Sequence, residues 1–146
     1  MDGARERPLR IPRPLLDAMV AHALEDAPAE CCGLVAAQDG AAVRAYRCEN
    51  IHHSPLRYEV AGPELARRLE EIEDAGWTLG AIYHSHTRSA PYPSQTDINM
   101  ALLGDSGEAV WPGAIYIIVG VAGQGPEVKA YAIAAGGVEE VALSVE

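Results

Sequence analysis

The sequence predicts an α/β fold: a curved mixed β-sheet packed between helices, in one domain spanning residues 1–146. Three observations predict it. Two segments carry apolar residues at helical spacing. Short apolar runs between turn residues read as strands. Helices and strands alternate without a regular βαβ rhythm, so mixed rather than purely parallel pairing is expected. A length of 146 residues with 49% hydrophobic content suits one packed core.

In chain order, Leu9 to Ile11 reads as a short first strand. Pro12 and Pro14 then introduce a helix at 14–25, with Leu15, Leu16, Met19, Val20, Ala23 and Leu24 as its apolar stripe. Cys32 to Ala37 is an apolar strand, Asp39-Gly40 a hairpin turn, and Ala42 to Cys48 the returning strand. Arg57 to Val60 is expected to be a further short strand. Gly62-Pro63 opens a second helix that buries Leu65, Leu69 and Ile72, pairs Glu64 with Arg68 one turn apart, and stops at Gly76. Trp77 to His84 follows as a central strand. Pro91 and Pro93 break the backbone, and Ser94 caps a helix expected to run through Leu103. Ala114 to Val121 is apolar throughout and rich in β-branched residues, which predicts a strand buried on both faces. Glu127 to Ala134 and Val138 to Val145 complete the sheet.

Composition excludes several function classes. The formal net charge is -10, from 21 acidic against 11 basic residues. A nucleic-acid surface needs a basic patch, and anionic membranes also attract cationic segments, so neither partner is expected. The N-terminus carries Arg5, Arg7, Arg10 and Arg13, but Asp17 and His22 interrupt the apolar stretch after them, so a signal peptide is not expected. No run approaches a membrane span. Cys31, Cys32 and Cys48 make an odd count without a disulfide framework, which points to free thiols in a reducing cytoplasm.

The most informative stretch is His84-Ser85-His86, seven residues, then Ser94-Gln95-Thr96-Asp97. Side chains two apart on a strand share a face, so both imidazoles can hold one ion. Asp97 supplies a third ligand. Two histidines, one carboxylate and an open fourth position make a catalytic zinc arrangement rather than a closed structural one. Such a hydrolase also needs a non-ligand carboxylate to move protons. Glu30, just before the strand at Cys32, is the candidate, although 54 residues separate it from His84 and only the fold can join them. Ser94-x-x-Asp97 is also a helix-start pattern, and the two roles are compatible.

Pro28-Ala29-Glu30-Cys31-Cys32-Gly33-Leu34, together with His84-Ser85-His86 and the spaced Ser94 and Asp97, resembles the JAMM (MPN-plus, Mov34/JAB) zinc metalloproteases. Their pattern is a glutamate on an early strand, then His-x-His, seven residues, Ser, two residues, Asp. The resemblance implies the JAMM/MPN fold, which is cytidine-deaminase-like. It implies one Zn2+ per chain on His84, His86 and Asp97, with Glu30 as general base and then acid. It also implies that Ser94 donates to the tetrahedral oxyanion, and that the substrate is the C-terminal tail of a ubiquitin-like protein. The short form is similar to the bacterial branch that acts on sulfur-carrier proteins, small β-grasp proteins ending in Gly-Gly, from which cysteine is released. Asn50, Ser54, Pro55 and Tyr58 resemble a further signature of that branch, which marks Asn50, Ser54 and Tyr58 as candidate substrate contacts.

Other function classes are also compatible with these residues. One is a non-catalytic metal-binding module that recognises β-grasp proteins; another is a zinc hydrolase of small amides. A base deaminase is disfavoured because its His-x-Glu and Pro-Cys-x-x-Cys elements are missing; a His-Glu-x-x-His helix is also absent. Cys32 is read as a small core residue and Cys31 as lying near the rim of the site. His22 is read as a surface residue, and Trp77 and Trp111 as packing residues.

Overall fold

The computed structural model describes residues 8–146; the arginines at positions 5 and 7 lie outside the described residues. One eight-stranded sheet organises the chain, in the order β10-β1-β3-β2-β4-β7-β8-β9. Its strands are β1 (Leu9–Ile11), β2 (Cys32–Gln38), β3 (Ala41–Cys48), β4 (Thr78–His86), β7 (Ile115–Gly120), β8 (Glu127–Ala134), β9 (Gly137–Val141) and β10 (Leu143–Val145). The helices are α1 (Arg13–Asp26), α2 (Gly62–Asp74) and α3 (Gln95–Ala101). A second, two-stranded sheet pairs β5 (Leu102–Leu103) with β6 (Glu108–Ala109).

The sheet is mixed, as the irregular rhythm predicts. β4 runs parallel to β7, and β1 parallel to β10, whereas β2 is antiparallel to both β3 and β4. The predicted single strand over 138–145 divides in two. β9 lies on one edge and β10 on the other, with Ala142 alone between them. A chain can leave one edge and join the other within one residue only if the sheet curls until its edges approach. That curl wraps one face around α1, whose Leu16, Met19 and Ala23 pack with Val35, Tyr83 and Ile117. The opposite face carries α2 and α3, where Ile72 and Ala101 meet Leu34, Ile82 and Ile118.

Several expectations require correction. Arg57 to Val60 forms no strand, because the Asn50 carboxamide engages the Arg57 carbonyl and the Glu59 N–H within the 49–60 loop. α3 ends at Ala101 rather than Leu103, since Leu102 and Leu103 turn into the β5–β6 hairpin. β4 extends two residues beyond His84, so both histidines lie within the strand. His22 is buried, not on the surface: its Nδ1 lies 2.7 Å from the Tyr83 hydroxyl and its Nε2 3.3 Å from Asp26. Cys31 is fully buried among the α1-facing residues rather than at a rim, because it alternates with Glu30 and Cys32 and so points to the other face. All three thiols are free and buried, and burial pushes each of them up in pKa.

Two glycines permit the close approaches the site needs. A Cβ on Gly33 would stand 2.2 Å from the Tyr83 ring and 2.4 Å from the Tyr46 carbonyl oxygen. A Cβ on Gly120 would meet Pro91 at 2.9 Å. Pro91 thus seats the 87–94 segment on the end of β7, and the Tyr131 hydroxyl donates to its carbonyl. Ser94 and Asp97 are delivered to the sheet by that anchorage.

Candidate metal centre and active site

β4 places Ile82, His84 and His86 on the face that carries α2 and α3. Ser94 then caps α3. Its Oγ accepts from the Asp97 N–H at 3.1 Å, and its own N–H donates to Asp97 Oδ2 at 2.9 Å, a reciprocal capping box. The first turn of α3 therefore holds Asp97 rigidly over the two imidazoles. His84 Nε2 and His86 Nε2 lie 3.2 Å apart, and each lies 3.1 Å from Asp97 Oδ2. All three residues are buried.

This triangle matches a metal. Tetrahedral ligands at about 2.0–2.1 Å from an ion stand about 3.3–3.4 Å from one another. The three donor atoms already stand at nearly that spacing, and they are the nitrogen and oxygen donors that zinc accepts. His86 is oriented by its ring: Nδ1–H donates to the Ala90 carbonyl at 2.8 Å, which leaves the Nε2 lone pair facing the cluster. His84 is oriented by packing, since the Tyr58 ring stacks on it at 4.4 Å. The residues present fit a zinc ion.

Electrostatics separate the three groups. Burial raises the Asp97 carboxyl, but in the metal-free protein the two imidazoles, donating from Nε2 when protonated, outweigh it and hold Asp97 well below the usual range. Burial lowers His84. Burial also acts downward on His86, but Asp97, the Ala90 carbonyl and the charge of Glu30 outweigh it and raise that imidazole.

Glu30 reaches this cluster through register. Cys32 pairs with His84 in antiparallel β2–β4, and the Ser85 N–H donates to the Cys31 carbonyl at 3.2 Å, so residue 30 stands opposite His86 on the same face. Glu30 is 4% exposed, and its Oε1 has no hydrogen-bond partner. Burial pushes its carboxyl up to about 8, with His86 acting downward and Asp97 upward. A buried, unpartnered carboxyl of raised pKa beside His84, His86 and Asp97 is suited to proton transfer near neutral pH.

The remaining candidates have different surroundings. Ser94 Oγ accepts from Asp97 and keeps its own hydrogen free to donate. The Asn50 carboxamide is fully engaged in its own loop and with the Glu30 carbonyl. Ser54 accepts from Leu56 N–H through Oγ and from Glu30 N–H through its carbonyl. Tyr58 is buried and lines an apolar cleft of about 230 Å3 with Leu34, Met100, Trp111 and Tyr116. A polar cleft of about 320 Å3 opens at Glu30, between Asp26, Glu49 and His53. Another cleft, of about 280 Å3, lies at the far end of β4 near Leu79 and has no titratable lining residue. Sequence reasoning missed the Ala90 carbonyl, the Ser85 hydroxyl that accepts from Cys31 N–H, and Thr87, whose hydroxyl donates to the Pro28 carbonyl at 2.7 Å. Spacing carries no signal for such backbone partners.

The family model of prokaryotic homologues of the JAB domain matches residues 12–134. This chain is a member of the prokaryotic JAB family. It is 35% identical over 136 residues to the CysO-cysteine peptidase of Mycobacterium tuberculosis, covering 90% of this chain and 86% of the relative. It is 38% identical over 138 residues to the probable TtuB-protein conjugate cleaving protease of Thermus thermophilus, covering 94% and 82%. The fold is that of AF2198, a JAB1/MPN domain protein from Archaeoglobus fulgidus, at a TM-score of 0.59, with 22% identity and coverage of 93% and 97%. Like these JAB relatives the chain is a hydrolytic enzyme, a peptidase. The JAMM resemblance read from Glu30, the histidine pair, Ser94 and Asp97 agrees with that membership. Among the described residues, no helix is long and apolar enough to cross a membrane.

Proposed function

We propose that this chain is a zinc-dependent peptidase that hydrolyses the amide bond after the C-terminal Gly-Gly tail of a ubiquitin-like sulfur-carrier protein, releasing cysteine or a longer extension in the cytoplasm. The observation that carries the reading is the meeting of Glu30 with His84, His86 and Asp97 across the β2–β4 ladder. Zinc held by His84, His86 and Asp97 would supply Lewis acidity, polarising a carbonyl and making water acidic enough to attack near neutral pH. Glu30 takes the proton from the attacking water and returns it to the leaving nitrogen. Its raised pKa suits both halves of that exchange. Ser94 donates its free hydroxyl hydrogen to the developing oxyanion.

The surroundings favour an extended macromolecular substrate. Leu56, Tyr92, Met100 and Leu103, on segments flanking the cluster, expose large apolar side chains. The apolar cleft beside Tyr58 can take a side chain upstream of the glycines. A tail without side chains at its last two positions can pass the narrow approach to the buried cluster, with Tyr58 and Ser54 along its path. The relatives named for CysO-cysteine and for TtuB-protein conjugates support this substrate class.

The test is intact mass of β-grasp carrier proteins bearing C-terminal extensions, incubated with and without chelator. Cleavage after Gly-Gly that chelation stops and Zn2+ restores is expected. Cleavage that persists in a zinc-free, chelated protein rejects the metal; cleavage of unrelated tails at equal rate rejects the substrate class.

A further inference from the structure

We propose that Asn50 is a positioning residue for Glu30: through the backbone of residue 30, its carboxamide sets where the Glu30 carboxylate stands. The inference rests on the proton-transfer role proposed above for Glu30. Residue 30 precedes β2, which begins at Cys32, so the regular ladder does not satisfy its backbone. Both of its backbone groups go to the 49–60 loop. The Glu30 N–H donates to the Ser54 carbonyl at 2.8 Å, and the Glu30 carbonyl accepts from Asn50 Nδ2 at 3.0 Å. The neighbouring residues are held from the other side by Ser85 and Thr87.

Asn50 spends its whole hydrogen-bonding capacity in this clamp. Its second N–H donates to the Arg57 carbonyl at 3.0 Å, and its Oδ1 accepts from the His52 and Glu59 N–H groups at 3.1 and 3.2 Å. The side chain is 5% exposed, so no polar hydrogen is left for a substrate. Only an amide fits, because two donors face two carbonyls while its oxygen faces two N–H groups. An aspartate there would set a carboxylate against both carbonyls. The same loop carries Tyr58, which stacks on His84, so one short segment holds both the proton-transfer group and a ligand.

The Glu30 carboxyl oxygen Oε1 has no partner of its own. Nothing at that oxygen fixes its direction, so the carboxylate inherits its position from the backbone that Asn50 and Ser54 grip. Loss of the Asn50 grip therefore displaces the reacting oxygens without removing them.

The experiment is a double-mutant cycle on the zinc-loaded protein. Asn50→Ala is made alone and with Glu30→Gln, and cleavage of a Gly-Gly-extended carrier is followed. Asn50→Ala alone is expected to lower kcat by about 10- to 100-fold, the usual cost of displacing a reacting group by about 1 Å. KM is expected to stay within about twofold and zinc content unchanged, because neither uniform binding nor the ligands are touched. In the Glu30→Gln background, measured by single turnover with enzyme in excess, the same substitution should change the residual rate by less than about twofold, since both changes act through one group. Equal losses in both backgrounds, a raised KM with kcat intact, or an unchanged kcat would each overturn the proposal. Should Asn50→Ala not fold, Asn50→Gln, which keeps the carboxamide but displaces its donors by one methylene, carries the same expectation. A Glu30→Gln protein working at full rate would refute the proton-transfer role itself, a separate failure that this cycle reveals in its first arm.

Discussion

Replacing Glu30 by Gln should make the metal-free protein more stable as pH rises, while abolishing turnover. The unfolded chain releases the Glu30 proton at the ordinary carboxylate value of 4.5, whereas the fold holds it to about 8, chiefly through burial. Below pH 4.5 the group is protonated in both states, so it adds no pH-dependent cost. Between 4.5 and 8 the fold must keep a proton that the unfolded chain prefers to lose, and the penalty grows by about 1.36 kcal/mol per pH unit. At pH 7.5 the three-unit interval amounts to about 4 kcal/mol. Water entry and local relaxation screen part of this, leaving an expected gain of about 2–4 kcal/mol for Gln, which is neutral and of equal size. For a domain of this length that is a rise in Tm of about 5–12 °C. The assay is thermal unfolding of chelated wild-type and Glu30→Gln proteins from pH 4.5 to 8.5. The difference should open steadily across the range and level off above pH 8. A gap that does not change with pH, or one that closes as pH rises, would refute the account of Glu30 as a carboxyl held at energetic cost for its chemistry.

The metal assignment predicts that His84→Ala or Asp97→Ala weakens zinc binding by more than about 100-fold, beyond the usual effect of losing an outer partner; elemental analysis after dialysis checks it. Zinc uptake by the metal-free protein should weaken as pH falls, beginning above the ordinary imidazole value of 6.5, because Asp97 helps His86 keep its proton. Competition with a chromophoric chelator measures this, and an affinity independent of pH between 5 and 8 would contradict it. Gly33→Ala should cost at least about 1–3 kcal/mol in urea unfolding, because the added methyl lands on the Tyr83 ring and a backbone carbonyl.

Local pattern made much of the molecule legible. Leu65, Leu69 and Ile72 mark α2 at helical spacing, and Ile72 is buried as expected. The uniform apolar run around Ile115 to Val119 marks a strand covered on both faces, and each of its residues is buried. Ser94 and Asp97 announced a helix start, which forms as a capping box. Patterns failed where partners were remote. The run from Val138 to Val145 reads as one strand, yet its halves join opposite sheet edges. Arg57 to Val60 has strand-like residues, but the Asn50 carboxamide recruits that backbone into a loop. His22 looks like a helix-surface residue until the sheet curls over α1 and supplies the Tyr83 hydroxyl.

The sequence by itself determined the donor set: two imidazoles on one strand face and a carboxylate one helix start away, because strand alternation and capping act over a few residues. Only the tertiary structure decided that Glu30 joins them. Its neighbourhood depends on the antiparallel register that sets Cys32 against His84, and on a loop from residues 49–60 that grips its backbone. Register is a long-range choice, made by the summed burial of two sheet faces rather than by any neighbouring residue, so no short-range pattern can report it.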